Sequence, residues 1–149
     1  MRVVALDIGE KRVGVAMSDA GATIASPLAV FDAGQVAKGD AIRALVAEHE
    51  VDLVVVGLPL TLAGEEGGQA RRVREVADGL ARGLPVPVVY FDERLSSAEA
   101  VRSMRAAGTS VRRGRGEVDK VAAALFLQAF LDSGGAMKYQ ERERGHSDD

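Results

Sequence analysis

The sequence predicts an α/β layer fold with a mixed five-stranded sheet, three antiparallel strands first and two parallel strands after them, flanked by helices. Three observations carry that expectation. Residues 2–30 hold three apolar, β-rich runs separated only by turns; from Gln35 onward, segments of helical periodicity alternate with apolar runs; and 149 residues suffice for one core and no more.

Residues 2–8 (RVVALDI) and 12–18 (RVGVAMS) flank a Gly9–Lys11 turn and read as a hairpin, with a third strand at about 23–30. Gln35–Glu50 places Ile42, Leu45, Val46 and His49 at helical spacing, which predicts one amphipathic helix with a packing histidine. Asp52–Leu58 is continuously apolar, as a strand buried on both faces would be, and Pro59 ends it. The glycine-rich loop 61–68 leads into a helix with Val73, Val76, Ala77 and Leu80 as its buried stripe and Arg71/Glu75 and Arg74/Asp78 as outer pairs. Pro85 and Pro87 bracket the start of a strand running from Val86 to Phe91.

Ser96-Ser97-Ala98-Glu99 reads as a capping box opening a helix that Gly108 would stop, and this accounts for Glu99 without any catalytic role. A loop rich in Gly and Arg, 108–116, precedes a final helix at about 117–132. One domain is expected over residues 1–137, with 138–149 as a polar, mobile tail.

Composition narrows the chemistry. The absence of Cys removes disulfides, thiolate metal sites and cysteine nucleophiles. The longest apolar stretch, Val121–Leu131, is interrupted by Gln128 and is too short to span a bilayer, so no membrane partner and a cytoplasmic location are expected. A net charge of −3 argues against indiscriminate coating of nucleic acid, yet Arg102–Lys120 holds six basic residues against Glu117 and Asp119. Arginine outnumbers lysine throughout, which suits phosphate contacts; the complete lack of Asn points equally to base composition.

Three acids stand out. Asp7 interrupts an apolar strand, where burying a carboxylate costs several kcal/mol unless it is paired, hydrogen-bonded or bound to a cation. A strand-end aspartate accepting amides of the Gly9–Lys11 turn is the alternative. Glu93, within Asp92-Glu93-Arg94, follows the last strand, where α/β sheets place their chemistry, and an ordinary surface ion pair with Arg94 is equally compatible. Asp119 shares a helix stripe with Ala122, Ala123, Phe126 and Phe130, so it faces the core; favourable placement against the helix dipole explains its position along the helix but not its face.

Three inward-biased acids would repel one another unless a divalent cation stood among them, and hard Mg²⁺ or Mn²⁺, one or two ions, suits carboxylate oxygen. Lys11 and Arg12 beside Asp7, Arg94 beside Glu93, and Arg112, Arg113 and Arg115 ahead of Asp119 are the candidate phosphate-binding residues; a solvated basic loop is the competing account of the last three. No GxxxxGK[ST] or GxGxxG run supports a nucleotide site, and neither His49 nor His146 is a candidate ligand.

Taken together, ALDIGEKRVGVAMSD (5–19), VVVGLPLTLAGEEG (54–67), FDERLSSAEA (91–100) and EVDKVAAALFLQAFL (117–131) resemble the bacterial YqgF/RuvX family over nearly the whole chain. The DERLS block is the most specific of the four. The resemblance implies a ribonuclease H-like fold related to Holliday-junction resolvases and a metal-dependent endonuclease maturing the 5′ end of precursor 16S ribosomal RNA. It assigns the catalytic and metal-binding positions to Asp7, Glu93 and Asp119. After GLPL the family usually carries Asn, a variable residue, Asp and Gly, where this chain has Thr61-Leu62-Ala63-Gly64, so an amide and a carboxylate are missing from that loop.

Precursor RNA is thus the expected partner, with branched DNA as the alternative substrate and a non-catalytic nucleic-acid or ribosome-associated module as the alternative of another class. An actin-like ATP binder, suggested by the DxG hairpin, would need a second such domain. Monomer and homodimer both remain open.

Overall fold

The computed structural model describes residues 1–98, 100–101 and 115–147, the last stretch by backbone alone at 115–117 and 143–147. Five strands, β1 (Val3–Ile8), β2 (Arg12–Ser18), β3 (Ala25–Asp32), β4 (Leu53–Leu58) and β5 (Val88–Asp92), form one sheet in the order β3-β2-β1-β4-β5. The first three strands are antiparallel neighbours, and β4 and β5 join β1 in parallel, as the sequence predicts.

Strand alternation sorts the core into two layers. Val4, Leu6, Ile8, Val54 and Val56 point to the face covered by α1 (Ala33–Ala37), α2 (Asp40–Glu48) and α3 (Gly68–Gly83), meeting Val36, Ile42, Leu45, Val73 and Leu80. Val3, Ala5, Ala16, Leu53 and Val55 point to the opposite face, where α4 (Arg115–Asp132) supplies Ala122, Ala123, Phe126, Leu127 and Phe130. The stripe read from the sequence of that helix is therefore the face it buries. Phe91 and Phe130 close this layer edge to face, with centroids 5.6 Å apart.

Four local expectations need correction. The single helix over 35–50 is two: Gly39 takes φ 86°, its amide closing α1 on Val36 and its carbonyl accepting the Arg43 amide as α2 begins. His49 follows α2 only half buried, its carbonyl accepting from Arg2, and packs less deeply than its stripe position predicts. The third strand starts two residues late because the Asp19 carboxylate accepts the Thr23 and Ile24 amides and holds that turn. On α3, Arg74 pairs with Glu66 and stacks over Tyr90, while Asp78 accepts the Tyr90 hydroxyl, so the expected Arg74/Asp78 pair is redirected to neighbours off the helix.

Beyond α4 the chain turns at Gly134, at φ 78°, and continues as α5 (Gly135–Ser147). The segment expected as a polar tail is thus helical through most of its length. Ala136 and Tyr139, three residues apart, turn toward the α4 layer, a stripe too short to register among its charged neighbours. The helix expected after Ser96 is seen only at its start, where Val101 donates to Ser97; Glu99 and its Gly108 stop lie outside the described residues.

Candidate active site

Asp7, Glu93 and Asp119 are 5%, 1% and 5% exposed, and Ser18 is the only other polar residue buried so deeply among the described residues. All three acids lie on the α4 side of the sheet, at the carboxyl end of β1.

Asp7 occupies the strand's last inward position on that face, following Val3 and Ala5. Its register partner on β2 is Gly14, and the backbone of Asp119 passes directly over Gly14. A Cβ at Gly14 would run into the Asp119 carbonyl and stand 2.9 Å from the Lys120 amide. On the other flank, β4 pairs Val56 with Leu6, which sets Gly57 beside Asp7 one residue further on. Glu93 rests there: a Cβ at Gly57 would lie 2.5 Å from Glu93 Oε1 and 3.0 Å from the Phe126 ring. Two strand glycines, one on each side of Asp7, are what let a helix backbone and a glutamate reach the sheet at this point.

Glu93 is fixed by its flanks. The Asp92 carboxylate caps the short 3₁₀ turn Glu93–Leu95 by accepting the Arg94 amide at 3.0 Å, and the Glu93 carbonyl accepts the Ser96 amide and hydroxyl at 3.1 and 2.9 Å. Arg94 also donates through its side chain to both Asp92 oxygens, at 2.7–3.1 Å, and to the Thr61 and Leu62 carbonyls at 3.4 and 3.5 Å. That guanidinium holds the Asp92 carboxyl below its ordinary pKa, burial opposing it more weakly.

Arg12 reaches across 107 positions of sequence to Asp119, its Nε donating to Oδ2 at 3.0 Å. The basic residue read as a phosphate ligand therefore sits on a candidate catalytic acid. Lys11 is exposed at the hairpin turn, and its carbonyl accepts the Ala33 amide. Arg112 and Arg113 lie outside the described residues, and Arg115 is described by backbone alone.

The sequence reading missed Gly14, Gly57 and Arg72. An interior strand glycine signals close approach, and both glycines carried that signal. Arg72, on α3, donates to the Gly9 carbonyl at 3.3 Å and ties that helix to the turn after Asp7; its sequence context gave no hint of this.

Three carboxylates without His or Cys match the oxygen preference of Mg²⁺ and Mn²⁺. As the side chains stand, no three His, Cys, Asp or Glu among the described residues form a group that could hold a metal ion. The donor set fits a hard divalent cation, and the Arg12 contact occupies only Oδ2 of Asp119.

Comparisons with known proteins bear on the family and the fold. A family model described as "RuvX: Holliday junction resolvase" matches residues 1–133. A protein of Chloroflexus aurantiacus named "Putative pre-16S rRNA nuclease" is 44% identical over 148 residues, covering 99% of this chain and 97% of that protein. One of the same name from Anaeromyxobacter sp. is 46% identical over 133 residues, covering 89% and 97%. Among solved structures, Thermus thermophilus RuvC in complex with a Holliday junction substrate superposes with a TM-score of 0.56 at 18% identity, over 91% of this chain and 96% of that one. At that identity the likeness speaks for the fold, which is ribonuclease H-like. With a family model spanning residues 1–133 and relatives above 40% identity over nearly their full length, the chain belongs to the RuvX family.

Proposed function

We propose that this protein is a divalent-metal-dependent endonuclease that hydrolyses phosphodiester bonds in precursor 16S ribosomal RNA during maturation of its 5′ end. The observation that carries this reading is the convergence of three buried acids around two strand glycines at the carboxyl end of β1. Burial of three carboxylates at one sheet end is costly unless cations offset their charge. The names of the full-length relatives favour RNA as substrate.

Asp7, Glu93 and Asp119 would hold one or two Mg²⁺ or Mn²⁺ ions. Such ions lower the pKa of bound water and stabilise charge on the phosphoryl oxygens. The chain's own contribution is placement. Gly14 and Gly57 admit the second and third acids beside the first, Asp92 and Ser96 hold the backbone that carries Glu93, and Arg12 neutralises Asp119 before substrate binds. Lys11, Arg112, Arg113 and Arg115, with Arg12 once released, would grip phosphates on either side of the scissile bond. The described residues include no helix long and apolar enough to cross a membrane.

A second reading, resolution of branched DNA, draws on the family description and the RuvC fold. One experiment addresses both. Precursor 16S fragments and a four-way DNA junction are incubated with Mn²⁺, Mg²⁺ or chelator, alongside Asp7→Asn. Cleavage of RNA that chelator and the substitution both abolish is the expected result. Cleavage indifferent to either would overturn the metal-nuclease reading, and preference for the junction would transfer it to DNA.

A further inference from the structure

Arg94 adjoins Glu93 in sequence, and its position suggested a phosphate ligand. Its contacts point elsewhere. The guanidinium lies between the Asp92 carboxylate, gripped through Nε and Nη2, and the carbonyls of Thr61 and Leu62 in the loop after β4.

That loop is a tight turn. Thr61 donates its amide to the Glu65 carbonyl and accepts the Glu65 amide on its hydroxyl, while the Gly64 amide closes on the Thr61 carbonyl at 2.8 Å. Gly64 takes φ 82°, and a Cβ there would stand 3.4 Å from both Arg94 Nη atoms, so its bare Cα leaves room for the guanidinium. At the tip, Leu62 is 98% exposed. Arg94 thus links the tip of the loop to the end of β5, while the Glu66–Arg74 pair ties its far side to α3. Because Asp92 and Arg94 flank Glu93, the same strut braces the backbone that presents the glutamate.

We propose that Arg94 is a positioning residue, a strut between Asp92 and the 61–64 loop that fixes Glu93 and the loop relative to each other. Its role in catalysis rests on the nuclease reading above; its role in ordering the loop does not. A strut and a phosphate ligand respond differently to lysine. Lysine keeps the charge that a phosphate needs but cannot reach both Asp92 oxygens and two loop carbonyls at once.

The test uses Arg94→Lys and Arg94→Gln, first in the otherwise unaltered protein and then with Leu62→Trp. The chain has no Trp, so the introduced indole reports on the loop alone. Both Arg94 variants are expected to lower kcat on precursor RNA by about 10²-fold, the scale of a small misplacement of a catalytic group. KM and the salt dependence of binding stay unchanged, and indole anisotropy falls in both. Asp92→Asn, which weakens the strut from its other end, is expected to lower kcat and anisotropy in the same direction, and serves if an Arg94 variant does not fold. Wild-type kcat in Arg94→Lys would overturn the strut. So would a salt slope flattened by about 0.7–0.9, the signature of one lost phosphate contact, or an unchanged anisotropy. If the parent protein cleaves nothing in Mg²⁺ or Mn²⁺, the nuclease reading falls, and the anisotropy alone decides the strut.

Discussion

Gly14 and Asp119 are in backbone contact: the α4 backbone crosses β2 at the one residue whose missing side chain lets it pass, directly opposite Asp7 in the adjoining strand. The candidate site is thereby coupled to the packing of the fold, and its variants should separate the two effects.

Gly14→Ala sets a methyl group against helix backbone, which cannot rotate aside. Overpacking of this kind costs about 1–3 kcal/mol, so the urea midpoint should fall with the m-value unchanged. Gly57→Ala meets the Glu93 side chain and the Phe126 ring, and both can shift. It should cost less stability and more nuclease activity. Equal stability of Gly14→Ala and wild type would contradict the close crossing.

Arg12→Gln removes the ion pair to Asp119, whose side chain is 7% exposed while that of Arg12 is 25% exposed. Partial screening at the arginine reduces the loss from that of a fully buried pair to about 1–2 kcal/mol. Adding Asp119→Asn should recover part of it, a coupling that a double-mutant cycle measures. Strictly additive losses would show that the pair contributes nothing of its own.

Asp19 has its carboxyl lowered from 3.8 to about 2, chiefly by the Ile24 amide, then by the Thr23 hydroxyl and amide. A depressed folded-state pKa stabilises the protein above the unfolded value, and that stabilisation disappears as pH falls through about 2. Wild type should therefore exceed Asp19→Asn in urea midpoint at pH 6, with the gap closing between pH 4 and pH 2. A constant gap would locate the effect elsewhere.

Phe126 is fully buried and touches both the Gly57 position and the α4 layer. Phe126→Ala should cost about 3–5 kcal/mol by leaving a cavity, and thermal unfolding would read it. A loss under 1 kcal/mol would mean that α4 packs on the sheet without this ring.

Much of this was legible because periodicity is a local property. Asp7 stood out as a carboxylate inside an apolar run, and offsets of three, four, seven and eleven placed Asp119 on the same face as Ala122, Ala123, Phe126 and Phe130. The partners were not legible. That Arg12 would lie on Asp119, or Arg94 on the Thr61 and Leu62 carbonyls, depends on which strands become neighbours, and nothing within a few residues encodes that. The break at Gly39 and the short stripe of Ala136 and Tyr139 were hidden for a different reason. Each is decided by one or two residues inside a segment whose average character points the other way.

The sheet order β3-β2-β1-β4-β5 has a consequence for the order of synthesis. The strand bearing Asp7 is made before the other four and becomes the centre of the sheet, whereas the helix that lays Asp119 over Gly14 is made after all five strands. A growing chain can complete its hairpin and most of its sheet while still lacking one of the three acids. On the reading proposed above, the site can assemble only once that helix has been made, however early its first acid takes its place in the sheet.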